Sequence, residues 1–198
     1  MEKQQAASMH RQFRSALILL GVMILFTGII YPVLVTLIAQ VVFPHQANGS
    51  LIESEGKYLG SELIGQHFDR EGYFWGRPSI TQPSPYNGSA SSGSNYGPSN
   101  KELLVNIQKR IEALKKSDPE SDTPIPVDLV TYSASGLDPH ISQAAALYQV
   151  PRVAQQRHLS EGKLQETVNL FTEGRQFGFL GEPRVNVLRL NLALDEIK

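Results

Sequence analysis

The side chains best suited to proton transfer or nucleophilic attack in this 198-residue sequence are His45, His67, His140, Asp69, Asp138 and the serines Ser133 and Ser135. None of them stands at the spacing of an H-E-x-x-H zinc site, a G-x-S-x-G nucleophile elbow or a G-x-x-x-x-G-K-[ST] phosphate loop. Asp138 and His140 flank Pro139 in the order of a helix start, with Asp138 as N-cap and Pro139 at the first helical position. The same pair would also serve as the acid–base element of a hydrolase, or face an anion at a helix N-terminus; capping explains it with less. A second group is aromatic: FDREGYFWGRPS (68–79) sets Tyr73, Phe74 and Trp75 between Arg70 and Arg77. That is either a buried cluster with solvated arginines or a surface that clamps a ligand or partner. The third is a polar loop, ITQPSPYNGSASSGSNYGPSN (80–100), rich in hydroxyls and amides and free of acidic residues, which makes a dedicated calcium site improbable. No metal site and no catalytic residue is expected.

These groups need elements to hold them. In PSNKELLVNIQKRIEALKK, Ser99 and Glu102 form a capping box, and Leu103, Leu104, Ile107, Ile111 and Leu114 recur at helical spacing, predicting a helix over 100–116. IPVDLVTYSAS (125–135) has the β-branched density of a buried strand. Helices are expected over 139–149, led by Asp138, and over 161–173, with Leu164, Val168 and Phe171 on one face and Gly174 as the stop. RVNVLRLNLALD (184–195) reads as a final strand, its change of phase at 187–188 as a β-bulge. No repeat of 20 to 50 residues is present.

Residues 16–43 contain no charge, and as a helix they would extend roughly 42 Å, against about 30 Å of bilayer hydrocarbon. The run exceeds a signal-peptide core of about 7–15 residues and no small-residue cleavage site succeeds it, so a retained span is expected. Of the 18 Lys and Arg in the chain, Lys3, Arg11 and Arg14 precede the run, whereas the far flank offers none until Lys57. The charge rule puts the N-terminus in the cytoplasm and the remainder outside. The organisation is thus a tail (1–15), a transmembrane helix (16–43) and an outer α+β domain (44–198), which is periplasmic if the membrane is a bacterial inner membrane. Among the 19 acidic residues only Glu2 precedes the span, leaving the outer domain with a negative excess, so nucleic acid is not a partner. Cysteine is absent and the outer domain must hold itself by burial alone. On a helical wheel Gly21, Gly28, Pro32, Thr36 and Ala39 share one stripe of the span, where small residues let another helix approach.

Five stretches carry a resemblance that runs from the single span to the last strand: GQHFDREGYFWGRPS (65–79), SSGSNYGPSN (91–100), IPVDLVTYSASGLDPHIS (125–142), YQVPRVAQQR (148–157) and GEPRVNVLRLNLALD (181–195), with 1–15, 44–56 and 115–124 adding little. In order and content they closely resemble the C subunits of the Kdp-type potassium-importing P-type ATPases. The resemblance implies an accessory subunit of an ATP-driven potassium importer, needed for assembly, beside a channel-like potassium-binding subunit and a P-type catalytic subunit. ATP, magnesium and potassium would be handled by those partners, with no cofactor of this chain's own. The sequence has neither a D-K-T-G phosphorylation motif nor a T-V-G-Y-G filter. The resemblance further implies an effect on ATP affinity; the matching residues are Ser133, Ser135, Gly136 and Gln149, which the expected topology places opposite the nucleotide, favouring indirect coupling. Tyr73, Phe74, Trp75, Arg77, Asn95 and Tyr96 are the expected partner-contact surface, with SSGSNYGPSN an ordered loop rather than a tether. The competing expectation is a membrane-anchored hydrolase or binding protein built on His140 and Asp138.

Overall fold

In the computed structural model, which describes residues 2–54 and 56–197, the chain separates into two units, residues 1–50 and 51–198. The first is helical: α1 (Glu2–Ile24), a π-helical turn (Leu25–Ile30), α2 (Tyr31–Val42) and the short α3 (Pro44–Ala47). Met9–Val42 is long and apolar enough to cross a membrane, and its most apolar stretch is not buried by the rest of the chain. The π turn has a local cause. Pro32 lacks an amide N–H and its ring crowds the preceding turn, so the ladder just before it widens and the Tyr31 N–H reaches back to the Phe26 carbonyl. The Thr27 hydroxyl donates to the Met23 carbonyl at 2.7 Å, satisfying another group in the loosened turn.

The second unit begins with an antiparallel hairpin, β1 (Leu51–Ser54) and β2 (Lys57–Ser61). A long segment without regular structure leads to α4 (Lys101–Ser117), and a 3₁₀ turn at Val127–Leu129 precedes β3 (His140–Ser142). Next come α5 (Gln143–Arg157), α6 (Glu161–Leu170), β4 (Thr172–Glu173), β5 (Arg184–Asn186) and α7 (Val187–Glu196). The sheet is antiparallel in the order β3-β5-β4, with Val185 of the central strand opposite Ile141 and Thr172. Its inner face and the apolar stripes of α5, α6 and α7 enclose one core around Phe74, Leu129, Ile141, Val150, Leu164, Val185, Leu190 and Leu194. The second unit is thus the expected α+β body, and the first the expected apolar helix.

Several local expectations are corrected. The helix over 100–116 forms, but Asn100 rather than Ser99 caps it: the Asn100 Oδ1 accepts the Glu102 N–H at 2.9 Å. Asn and Ser are equally good caps, and spacing does not choose between neighbours. The strand over 125–135 is absent; those residues run as the 3₁₀ turn and irregular chain. Asp138 caps no helix, because residues 140–142 pair with β5 and α5 starts later, capped by Ser142, whose Oγ accepts the Ala145 N–H at 3.0 Å. The strand over 184–194 ends at Asn186, and the change of phase at 187 is a strand-to-helix junction rather than a bulge. Buried Val187, Leu188, Leu190, Asn191 and Leu194 have helical spacing. The helix over 161–173 stops at Leu170, and Thr172–Glu173 joins the sheet.

Candidate functional site

The aromatic stretch 70–77 has no strand beside it, yet it passes through the core, so its peptide groups need partners from elsewhere. Side chains of the surrounding helices supply them. Asn191 of α7 meets both peptide groups of Phe74, accepting its N–H at 2.9 Å and donating to its carbonyl at 2.9 Å. Gln149 of α5 does the same for Trp75, at 2.8 and 3.1 Å. Each amide thus imitates the edge of a neighbouring strand. Arg152 donates to the carbonyls of Glu71 and Tyr73, Arg157 to that of Gly72 and Arg110 to that of Gly76.

The guanidinium groups of Arg110 and Arg152 also lie over the Trp75 ring, 5.3 and 4.4 Å from its centroid, and Arg157 lies 4.5 Å from that of Tyr73. Burial pulls the Arg152 guanidinium down to about 10, partly offset by Asp118 and Glu71. Arg110 is lowered in the same direction by the same cause. Phe74 and Trp75 are therefore core residues, and their expected place on a contact surface is corrected; Tyr73 stays half-buried, its hydroxyl donating to Asp195 at 3.1 Å.

Beside this segment three loops pack as a layer. Tyr86 donates to the Arg77 carbonyl at 2.5 Å, and burial, its largest influence, pushes the phenol up to about 12. Arg77 bridges to Asp138 at 3.2 Å and donates to the Tyr132 carbonyl at 3.0 Å. Burial alone would raise the Asp138 carboxyl, but hydrogen bonds from the side chain and backbone of His140, with the charge of Arg77, hold it below its ordinary value. The pocket of about 190 Å³ here is lined by Gln66, His67, Arg77, Tyr86, Arg110 and Tyr132 among others.

The start of SSGSNYGPSN lies against 134–136. The Ser92 N–H donates to the Ser135 carbonyl at 2.9 Å, and Ser79 donates to the Gly136 carbonyl at 2.7 Å. Gly136, at φ +67°, could carry no side chain, since a Cβ would meet the Ser92 carbonyl and Thr81 at 2.7 Å. The stretch is thus seated on the unit, not a tether, with Asn95 exposed and Tyr96 half-buried. Ser133, Gly136 and Gln149 are buried, and the Ser135 hydroxyl accepts the Leu137 N–H, so these residues form packing rather than a ligand surface. The His140 Nδ1 is 3.5 Å from Asp138, but none of the described hydrogen bonds joins its ring to a hydroxyl nucleophile, and the other Asp138 oxygen is held by Arg77. Among the described residues no three His, Asp or Glu side chains converge as metal ligands.

In the first unit Gly21, Gly28, Pro32 and Thr36 are exposed and Ala39 is half-buried. Among the described residues a Cβ at Gly21 would meet nothing within 4 Å, and one at Gly28 only Ile24 at 3.9 Å, so their packing does not require glycine at either position.

Gln149, Asn191, Arg152 and Arg110 were not legible as a set. The one signal is a polar side chain on an otherwise apolar helical stripe, as in Ala145-Gln149-Val153 and Val187-Asn191-Leu194.

The model of the family described as "K+-transporting ATPase, c chain" matches residues 13–196. The chain belongs to the KdpC family. It is similar to the potassium-transporting ATPase KdpC subunit of Methylococcus capsulatus, 61% identical over 190 residues that cover 96% of this chain and all of that one. The KdpC subunit of Herpetosiphon aurantiacus is 61% identical over 186 residues, covering 94% and 96% of the two chains. That of Paraburkholderia phytofirmans is 54% identical over 190 residues, covering 96% and 99%. The expectation of a hydrolase built on Asp138 and His140 finds no support in a family of this description or in the geometry of the pair.

Proposed function

We infer that this chain is the accessory subunit of a K+-transporting ATPase. The observation that carries the reading is the family match over residues 13–196, which extends from the apolar helix through nearly the whole second unit. The N-terminus is cytoplasmic, by the Arg11 and Arg14 flank, and residues 51–198 stand on the outer side of a bacterial inner membrane. The chain is not itself catalytic. Its partners are the channel-like potassium-binding subunit and the P-type catalytic subunit, and ATP, magnesium and potassium are their ligands. An influence on ATP affinity is exerted through assembly and conformational coupling, since buried Gln149 and Ser133 present no surface to a nucleotide.

The span is where assembly is tested most directly. A Cβ at Gly28 would meet only Ile24, at 3.9 Å, among the described residues, so the chain's own packing leaves room for a side chain to begin there, whereas a closely packed neighbouring helix would not. Gly28→Leu is expected to insert normally but to co-purify several-fold less with the ATPase, with potassium-stimulated ATP hydrolysis and uptake falling together, while Ile29→Leu behaves as the unaltered chain. Equal recovery of the two variants would make the span an anchor only. Failure of the unaltered chain to co-purify with any potassium-transporting ATPase subunit would overturn the functional reading itself.

A further inference from the structure

Residues 175–182, RQFGFLGE, form a small hairpin that projects its apolar side chains away from the core. Its base is closed by Arg175 and Glu182 at 2.7 Å, and by reciprocal hydrogen bonds between Gln176 and Leu180, each 2.9 Å. The turn needs left-handed backbone at Phe177 (φ 53°) and Gly178 (φ 80°). Glycine takes this conformation freely, whereas a bulky aromatic residue is strained in it. The hydrogen bonds and ion pair at the base hold the turn, but its apolar side chains stay in solvent: Phe177 is 86% exposed, Phe179 70% and Leu180 47%, while Phe68, Phe74 and Phe171 all contribute to the core. A strained turn that leaves two phenylalanines in solvent is the kind of outlier that marks a contact made with something else.

We propose that the Phe177–Phe179 hairpin is a docking finger that inserts into an apolar pocket on a partner subunit of the transporter, on the same side of the membrane as residues 51–198. The proposal rests on the functional reading above. Three features select this occupant. Two phenylalanines bury at most about 150–250 Å² each, far short of the roughly 800 Å² per partner that a self-standing interface needs, which disfavours a dimer held by this hairpin. The same area suffices for an aromatic anchor added to an assembly that has other contacts, such as the one tested at Gly28. Against a lipid surface, the hairpin's single cation is already paired with Glu182, and it carries neither the Trp and Tyr nor the free Lys and Arg of interfacial anchors.

The decisive experiment places a photocrosslinker at the tip, Phe177→p-benzoylphenylalanine, in the full chain assembled with its transporter in native membranes. Illumination is expected to yield one adduct between this chain and a partner subunit. Adducts to lipid alone, to a second copy of this chain, or none while the unaltered chain still co-purifies, would each overturn the finger and leave the functional reading standing. As a second measurement, Phe177→Ser with Phe179→Ser is expected to lower recovery of intact complex about tenfold in detergent, with the amount of chain in the membrane unchanged. Recovery equal to that of the unaltered chain would overturn the proposal as well.

Discussion

Gln149 and Asn191 each use both ends of one amide to hold both peptide groups of one residue, and both are 1% exposed. Removing such a side chain leaves a buried N–H and C=O without partners, which costs far more than the net contribution of the bonds. Asn191→Ala and Gln149→Ala are each expected to destabilise the second unit by about 2–4 kcal/mol, read as a lower thermal midpoint. A midpoint indistinguishable from that of the unaltered chain would show that the clamp is dispensable. Tyr86 supports a different measurement. Its phenol ionises at about 12 in the folded chain against 10 when free, so the unfolded state releases its proton first as pH rises. The contribution is fully present below pH 10 and lost between 10 and 12, about 2–3 kcal/mol in all. Unfolding measured at rising pH through that window should show a steeper loss in the unaltered chain than in Tyr86→Phe; parallel curves would remove burial of the phenol as the cause.

At the scale of elements, periodicity located α4 and α6, because both have one long apolar face and a marked start. It misassigned the residues beyond 186, where Val187, Leu188, Leu190 and Leu194 fit a strand with one slip about as well as a helix. Contact decides between them: β5 ends where the antiparallel β3 and β4 begin, opposite His140 and Thr172, and the chain then continues as a helix capped by Asn186. Caps are the other point at which neighbours compete. Asn100→Ala is expected to cost about 1 kcal/mol and Ser99→Ala almost nothing, in the same thermal unfolding assay. The reverse order would restore Ser99 as the cap.

For the whole molecule, the proposed orientation rests on the basic residues Arg11 and Arg14 before the apolar helix. Cysteine is absent, so one introduced thiol reports on its own. Ser99 is exposed and is not the cap of α4, which suits it for the purpose. In intact spheroplasts of an expressing bacterium, Ser99→Cys is expected to react fully with a membrane-impermeant maleimide; labelling only after lysis would invert the topology.

The sequence by itself determined much of what depends on neighbours along the chain: the apolar run, its charged flank, the helices α4 and α6 and the five stretches that carried the resemblance. Only the tertiary structure decided the features that depend on groups brought together from far apart. A buried cluster is the plainer reading of Phe74 and Trp75 in the sequence, but a contact surface stays open until Asn191 and Gln149, 117 and 74 residues away, arrive to pair with their backbone. Asp138 could equally have been a helix cap until Arg77 and the pairing of His140 with β5 claimed its surroundings. Local propensities are worth tenths of a kcal/mol per residue, whereas an unpaired buried peptide group costs about 1–3 kcal/mol, so wherever the two conflict the long-range partner prevails.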